Sequence, residues 1–392
     1  MDPRQNPFAP GAGTPPPELA GRDELIERAA VALDRIRAGR SARSFVLYGL
    51  RGVGKTVLLN RIRRDAEERG IVSARIEAPE ERSLPALLVP VLRAALLRLS
   101  RGEALKDSLL KGMRALASFK TALTVKFGDI EVGIDADPEI GLADSGDLDT
   151  DLTDLLRTIG EAANERDAAL VLFIDELQYV PEEQLGSLIA AFHSASQEQL
   201  PITMVAAGLP QLVGKTGRTK SYAERLFEFV PVDSLGDDDA RSAVIVPASN
   251  EGVGFDSDAV TEVLRKTGGY PYFLQEWGKH SWDVADSSPI RLADVQRATA
   301  LALAELDASF FRVRFDRLTP AQKGYMRAMA ELGSGPHRSS DIASVLNQKV
   351  NSVAPMRSEL IRKGMIYSPA HGDTAFTVPL FDGFMKRTMP LQ

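Results

Sequence analysis

Gly49-Leu50-Arg51-Gly52-Val53-Gly54-Lys55-Thr56 is the segment that says most about the fold. It matches the pattern G-x-x-x-x-G-K-[ST], whose glycines let successive backbone N–H groups turn toward phosphate oxygens. An apolar segment at 44–48 precedes it and a segment with helical spacing follows it, so a strand, a glycine loop and a helix start stand in the order that binds anions. A glycine-rich turn with an incidental lysine is the alternative, and the flanking elements argue against it. The sequence therefore predicts a nucleotide-binding loop made by Gly49, Leu50, Arg51, Gly52, Val53, Gly54, Lys55, Thr56 and Val57.

A second segment supplies the acids that such a loop needs. Leu170-Val-Leu-Phe-Ile-Asp175-Glu176 is an apolar strand that ends in two carboxylates. In phosphoryl transfer Lys55 would bridge the β and γ phosphates, and Thr56 and Asp175 would hold magnesium. Glu176 would orient and deprotonate the attacking water. A strand that simply ends at solvent would also explain the two acids, but two parts of one mechanism coincide here. The predicted ligands are therefore ATP and Mg²⁺, with Glu176 and Lys55 as candidate catalytic residues.

Composition excludes several other classes of protein. The chain has 392 residues and no cysteine, which rules out disulfide scaffolds, thiolate metal sites and thiol nucleophiles. Its formal charge of −7 excludes a globally basic nucleic-acid coat. The longest apolar segment, 84–99, is too short and too charged to span a bilayer, and residues 1–17 lack the apolar core of a secretory signal. We therefore expect a cytoplasmic protein that has no membrane partner.

Alternating strands and helices predict an α/β fold. Continuous apolar strands are expected near 44–48, 71–76, 169–174, 202–207 and 227–232, with helices between them, which is typical of a parallel sheet covered on both faces. Helices are expected at 84–99 and 104–120, and the hairpin expected around Gly128-Asp129 is interpreted as part of an insertion. The predicted domains are a flexible N-terminus at 1–17, a nucleotide-binding domain at 18–235 with an insertion at about 100–150, a helical lid at 236–304 and a C-terminal domain at 305–392.

Acidic residues are concentrated in one segment. Between 128 and 154 there are ten carboxylates and no Lys or Arg. A solvated acidic loop is the simplest interpretation, because blocks of like charge repel one another. A segment that repels partners or docks on a basic patch is the alternative.

The motifs resemble AAA+ ATPases of the group that contains origin-recognition initiators and STAND signalling ATPases. Pro15-Pro-Pro-Glu-Leu-Ala-Gly-Arg22-Asp-Glu is similar to the N-terminal box that closes over the adenine, and Gly268-Gly-Tyr-Pro271-Tyr-Phe-Leu is similar to the lid motif. The resemblance implies that Arg22 and Pro271 contact the nucleotide. A turn that ends a helix is the other interpretation of Gly268 to Pro271.

The sequence departs from that family at its sensor positions. The family carries a polar residue at the end of the fourth strand, whereas this chain has Ala207 and Gly208, and Thr203 and Gln211 are weak substitutes. No base occurs at 271–278, where initiators carry a lid arginine. These differences favour a slow nucleotide switch over rapid turnover. The trans-acting arginine finger of the family falls at Arg225, with Arg218 and Lys220 as rivals.

The end of the chain has the pattern of a winged helix. Helices are expected from 319, 339 and 351, and two short strands bracket the turn at 371–373. The last of these helices would read a major groove, with Ser352, Arg357 and Arg362 as candidate contacts. Residues 311–392 carry twelve bases and six acids, a net charge of +6, which leaves −13 on the rest of the chain. The tail therefore has the charge for a local grip on duplex DNA, but it could equally dock on the acidic segment of its own chain.

Two functions fit these observations. The first is a Mg-ATP-dependent switch associated with DNA through its winged helix, acting as a homo-oligomer. The second is a STAND-like signalling or scaffolding ATPase whose winged helix binds a protein. A helper ATPase of transposition or secretion would have the same core.

Overall fold

The computed structural model describes residues 1–11, 13–79, 82–100, 107–127, 133–134, 136–220 and 223–390. Its first part alternates helices with five strands, which confirms the α/β class. The elements of this part are α1 (Asp23–Arg37), β1 (Ser44–Tyr48), α2 (Lys55–Glu68), β2 (Val72–Glu77), α3 (Leu84–Ser100), α4 (Asp107–Phe127), α5 (Leu148–Asn164), β3 (Leu170–Asp175), α6 (Glu182–Gln197), β4 (Ile202–Gly208), α7 (Gln211–Thr219), α8 (Ala223–Leu226) and β5 (Phe227–Pro231).

The five strands form one parallel sheet in the order β2-β3-β4-β1-β5. Parallel strands end at the same edge, so the carboxyl ends of β1, β3 and β4 lie side by side. Tyr48 pairs with Gly208, and Glu77 pairs with Asp175. The glycine loop after β1 and the two acids at the end of β3 are thereby brought to one edge of the sheet.

Each face of the sheet has its own core, because successive side chains of a strand point to opposite faces. Phe45, Leu47 and Phe173 belong to the core that continues into α1, α2 and the C-terminal helices. Val46 and Ile174 belong to the other core, which is covered by α3, α4, α5 and α6. The continuous apolar strands therefore reflect burial on both faces, as predicted.

Four helices form the expected lid, and their bounds are α9 (Asp237–Asn250), α10 (Ser257–Thr267), α11 (Pro271–Val284) and α12 (Leu292–Ala308). Trp277 and Trp282 are fully buried there. Residues 1–11, expected to be flexible, pack on this lid: Phe8 is 3% exposed, and the Asn6 side-chain amide donates to the carbonyl of Lys279 at 3.0 Å. The space for Phe8 depends on Gly278, where an added Cβ would approach the Phe8 ring within 2.5 Å.

The last elements are α13 (Arg312–Asp316), α14 (Pro320–Leu332), β6 (His337–Arg338), α15 (Ser339–Val345), α16 (Val350–Arg362), β7 (Ile366–Tyr367), β8 (Asp373–Phe376) and α17 (Phe381–Thr388). Thr319 caps α14 reciprocally with Gln322, and Pro320 occupies the first helical position, as expected. The strands form a small antiparallel sheet in the order β6-β8-β7. Helices α14, α15 and α16, together with this sheet, are compatible with the predicted winged helix. We call residues 311–390 the C-terminal module.

Two elements differ from the sequence-based expectation. The hairpin around Gly128-Asp129 was expected to begin at Val125, but α4 runs on to Phe127, and 128–132 lies outside the described residues. Three alternating residues predict a strand weakly, and here the helix continues because Leu116, Phe119 and Leu123 of α4 are buried. The first helix begins at Asp23 and not at Glu18.

The described part of the acidic segment is structural. Asp151 is fully buried and accepts hydrogen bonds from the backbone N–H groups of Ser145 and Gly146. Asp147 caps α5, and the backbone N–H of Thr150 that it accepts lowers the pKa of its carboxyl. None of the described helices combines the length and the apolar character needed to cross a membrane.

Candidate functional site

A cleft of about 810 Å³ lies at the carboxyl edge of the sheet. Its walls come from the glycine loop, the N-terminal segment, the lid helix α11 and the start of the C-terminal module. A cleft of this size suits a ligand as large as a nucleotide.

The glycine loop needs its glycines for backbone reasons. Gly52 and Gly54 have φ of +87° and +92°, a region that other residues rarely adopt. An added Cβ at Gly49 would lie 2.0 Å from the carbonyl oxygen of Val232, next to the end of β5. The loop is therefore held close to the sheet, and Lys55 is the first residue of α2.

Lys55 is a buried cation, with only 8% of the residue exposed. Its ammonium group donates to the carbonyls of Gly49 at 2.9 Å and Leu50 at 2.7 Å. Burial lowers the pKa of Lys55 to about 8, and the nearby Glu176 opposes the shift. A bound phosphate would be the negatively charged partner that this ammonium group lacks.

Asp175 and Thr56 together offer oxygen ligands. Asp175 is 3% exposed, and burial raises the pKa of its carboxyl although the Thr56 hydroxyl hydrogen-bonds to it. A buried carboxylate beside a hydroxyl and a phosphate-binding loop fits Mg²⁺, which usually takes one or two carboxylates and the phosphates of a substrate.

Glu176 adopts the left-handed conformation at φ +54°, which turns its side chain out of the strand direction. Its carboxylate lies 3.6 Å from the Arg51 guanidinium. The side-chain amide of Gln178 donates to the same carboxylate. Glu176 is thus fixed beside the glycine loop by two partners.

Gln178 is a site residue that the sequence analysis missed. Its amide oxygen accepts the backbone N–H of Leu209 at 3.0 Å, so its side chain joins the end of β4 to Glu176. An added Cβ at Gly208 would lie 2.7 Å from that oxygen. The end of the fourth strand, β4, therefore contacts a polar group that comes from Gln178 in the segment after β3. Gly208 leaves room for this group.

The weaker sensor candidates lie elsewhere. The Thr203 hydroxyl hydrogen-bonds to the Ser44 hydroxyl at 3.0 Å. Both residues lie at the amino ends of their strands, at the edge of the sheet opposite the cleft. The Gln211 amide donates to the carbonyl of Ile361 in α16 at 3.4 Å.

The two residues that the family resemblance assigns to the adenine nucleotide lie on the wall of the cleft. Arg22 lines the cleft, with its guanidinium hydrogen-bonded to the carbonyls of Asp233 and Val53, and burial lowers its pKa. Pro271 also lines the cleft, at the first turn of α11. Gly268 and Gly269 before it are both left-handed, so the segment is a helix-ending turn as well.

The arginine-finger candidates lie on the surface. Arg225 is exposed on α8 and is not part of the cleft lining that the structure describes. Arg218 lies 4.0 Å from Glu182, and Lys220 lies 3.3 Å from Asp149. None of these three side chains belongs to the described lining of the cleft.

The C-terminal module is docked on the glycine loop. The backbone N–H of Arg51 donates to the carbonyl of Thr377 at 3.1 Å. The guanidinium of Arg51 donates to the carbonyl of Gly364 at 3.4 Å and to the Tyr179 hydroxyl at 2.6 Å. Arg51 therefore links the module to the loop and to Glu176.

The predicted groove-reading residues differ in their availability. Ser352 and Arg362 are exposed on α16. Arg357 instead donates to the Thr374 hydroxyl, the Ser368 hydroxyl and the carbonyl of Asp373 within its own module, all within 2.9 Å.

Comparisons with known proteins agree with this geometry. A family model described as an AAA ATPase domain matches residues 18–205, and a model described as a domain of unknown function matches residues 308–385. An uncharacterized HTH-type transcriptional regulator of Methanocaldococcus jannaschii is 22% identical over 217 residues, or 54% of this chain. This chain spans about half the length of that relative, 53%.

Among solved structures, the Walker-type ATPase of Pyrococcus abyssi matches with a TM-score of 0.62 at 15% identity. The match covers 97% of this chain and 99% of that one. At this identity the likeness shows the fold. Residues 18–205 therefore match an AAA ATPase domain, and the chain as a whole shares the fold of the Walker-type ATPase.

Proposed function

We propose that this chain is a magnesium-dependent ATPase that works as a nucleotide switch. The observation that carries the proposal is the convergence of the buried Lys55 and Asp175 with the half-buried Thr56 and Glu176 at the mouth of one cleft. These are the parts that phosphoryl transfer requires, and they follow or end two strands, β1 and β3, whose carboxyl ends lie at the same edge of the parallel sheet.

Each side chain has a distinct role in this proposal. The N–H groups of the glycine loop and the Lys55 ammonium bind the phosphates. Thr56 and Asp175 would hold Mg²⁺, which neutralises charge on the β and γ phosphates when it is bound. Glu176 accepts a proton from the attacking water, and Gln178 holds its carboxylate in place.

We infer that turnover is slow, because the Glu176 carboxylate faces the Arg51 guanidinium at 3.6 Å. The carboxylate that would accept the proton is therefore engaged by a guanidinium and by the Gln178 amide, and this arrangement must loosen before water can take their place. The same Arg51 contacts the C-terminal module, so the nucleotide cleft and the module share a residue. This arrangement suits a switch better than a fast motor.

The proposed output is association with duplex DNA. The C-terminal module contacts the glycine loop through the turn after α16. This contact leaves Ser352, Ser358 and Arg362 of that helix exposed. The module carries a net charge of +6. The helix-turn-helix label belongs to the relative in Methanocaldococcus jannaschii and supports this output.

Nucleotide binding and hydrolysis of Mg-ATP test the enzyme assignment directly. Lys55→Ala should weaken binding at least about 100-fold, because it removes the charge-assisted contact to the phosphates. Glu176→Gln should retain binding while hydrolysis falls at least about 100-fold. Undiminished turnover in Glu176→Gln would remove that residue from its role.

Filter binding to duplex DNA at rising salt tests the output. We expect tighter binding with ATP than without it, and a negative slope of log affinity against log salt, because phosphate contacts release counterions. Lys349→Glu, at the exposed start of α16, should weaken binding, whereas Lys386→Glu on α17 is the control. A slope near zero would exclude the DNA output.

A second output is favoured by Arg357. Its three hydrogen bonds within the module occupy the guanidinium that would otherwise read bases. In this alternative the module binds a protein partner, as in a signalling ATPase. Nucleotide-dependent oligomerisation without any effect of DNA would support it.

Exposed Arg225 remains the proposed arginine finger of a homo-oligomer. Turnover per chain should rise with protein concentration, and Arg225→Ala should abolish the rise while Arg218→Ala keeps it. A rate per chain that is independent of concentration would argue against this role.

A further inference from the structure

Arg314 brings the C-terminal module into the nucleotide cleft. It lies on α13, beyond the AAA ATPase domain model, yet it lines the same cleft as Lys55 and Glu176. It belongs instead to residues 308–385, which match a domain of unknown function. Three neighbours from this stretch, Ser309, Phe310 and Val313, line the cleft as well. The cleft is therefore built jointly by the ATPase domain and this second region.

Aromatic stacking fixes Arg314 at the cleft wall. The ring of Tyr272, on the lid helix α11, stacks on the ring of Phe310 with centroids 4.6 Å apart and planes inclined by 21°. The Arg314 guanidinium carbon lies 4.0 Å from the centroid of Phe310, and its Nη1 donates to the Phe310 carbonyl. A cation over an aromatic face is held by the ring quadrupole. The lid, Phe310 and Arg314 thus form one continuous stack.

The charge of Arg314 has no carboxylate partner among the described residues. It is half-buried, and no carboxylate of the described residues lies within 4.0 Å of it. Burial, together with the neighbouring Arg51 cation, lowers the pKa of Arg314 to about 10. A guanidinium has five N–H donors, and one described hydrogen bond leaves most of them for a ligand. An anion in the cleft would therefore be stabilised beside Arg314.

The position of Arg314 indicates which end of a bound nucleotide it would contact. Arg314 interacts electrostatically with Glu176 and Arg51, which lie at the end of the cleft where water would attack. A terminal phosphate on the glycine loop lies between the lysine and the water-activating group. ADP has no phosphate there. A guanidinium suits this contact, because its planar fork matches two phosphate oxygens.

We propose that Arg314 binds the γ-phosphate of ATP from within its own chain, so that the region of unknown function distinguishes ATP from ADP. This inference rests on the proposed nucleotide function. It gives the C-terminal module a direct contact with the group that hydrolysis removes.

The test compares affinities for Mg-ADP and for the Mg complex of the β,γ-imido analogue of ATP, by displacement of a fluorescent ADP. Arg314→Gln should weaken binding of the analogue about 10- to 100-fold and of ADP less than about threefold, because the lost contact is one charge-assisted hydrogen-bond pair. Arg312→Gln is the matched control on the same helix. That side chain is exposed, pairs with Asp316 and should leave both affinities unchanged.

Equal losses for the two nucleotides, or no loss for either, would overturn the inference. If Arg314→Gln unfolds at a lower temperature without nucleotide, Arg314→Lys provides the test, with a smaller loss confined to the ATP analogue. Wild-type protein that binds neither nucleotide would instead contradict the proposed function. Wild-type binding of both, with an unchanged preference in Arg314→Gln, would contradict only the role of Arg314.

Discussion

Lys55 shows at the scale of a residue how the cleft is prepared for its ligand. Its ammonium is buried, and it is held by two carbonyl oxygens and not by a carboxylate. A buried cation without a paired anion is costly, and its pKa falls in response. Binding a phosphate offsets that cost, so the residue is better satisfied in the complex than in the free protein.

The affinity for Mg-ATP should therefore depend on pH through Lys55. Its pKa in the free protein is about 8, and the charged form binds phosphate, so affinity should fall as the pH rises through 8. The expected loss between pH 7 and pH 9 is about tenfold, measured by calorimetric titration. Lys55→Arg is the control, because its guanidinium stays charged and its profile should be flat. A flat profile in the wild type would show that Lys55 does not titrate in this range.

Gln178 gives a second prediction at this scale. Gln178→Ala should lower kcat about tenfold with KM changed less than about threefold, because the side chain positions Glu176 and does not touch the nucleotide. Gln184→Ala is the control: Gln184 is also buried, but its amide oxygen accepts the N–H of Leu84. Equal effects in both variants would mean that Gln178 only supports the fold.

Individual site residues also differ in whether the sequence alone predicts their role. The glycine loop and Asp175 are local patterns on one strand or turn, and the sheet places them as expected. Gln178 lies two residues after Glu176, but its role depends on its contact with Leu209 at the end of β4. Arg314 is 138 positions from Glu176, and nothing in the spacing of the chain reveals that they share a cleft. Such contacts follow from how the domains pack, which a linear pattern does not contain.

At the scale of elements, the turn between α16 and β7 matters most. Gly364 in this turn has φ +65°, and its carbonyl accepts hydrogen bonds from Arg51 and from the Thr377 hydroxyl. An added Cβ there would lie 2.8 Å from both the Arg51 guanidinium and a methyl group of Leu209. Only a glycine allows this close approach of the module to the glycine loop. The sequence analysis did not predict the surface against which this turn packs.

Gly364→Ala should loosen docking without unfolding the module. The Arg51 side chain is flexible at its tip, so we expect the guanidinium to be displaced from Gly364. Gly372→Ala is the matched control, since Gly372 has φ +82° and an added Cβ would meet nothing within 4 Å. Both variants should lose about 1 kcal/mol from the left-handed alanine. Only Gly364→Ala should exchange the Arg51 amide faster, by about fivefold or more, in hydrogen exchange without nucleotide. Equal exchange in both would show that the turn does not hold the loop.

The whole molecule separates charge between its parts. The module is at +6 and the remainder at −13. An acidic segment that attracts this module was one expectation, but its described acids serve the body: Asp151 binds backbone N–H groups, and Asp149 pairs with Lys220. The described docking contacts run through Arg51 and Gln211, both at the carboxyl edge of the sheet. The described contacts therefore place the basic module against the edge of the sheet that carries the cleft, and not against the described acids of that segment.

We propose that the bound nucleotide controls how the C-terminal module packs on the glycine loop. The most direct measurement is hydrogen exchange of the peptide 361–368 in the wild-type chain without nucleotide, with Mg-ADP and with the Mg β,γ-imido analogue of ATP. We predict that the analogue slows exchange of this peptide at least about fivefold relative to ADP, because the terminal phosphate joins Arg314 to the loop. Identical exchange in the ADP and analogue complexes, with both nucleotides bound, would contradict the claim.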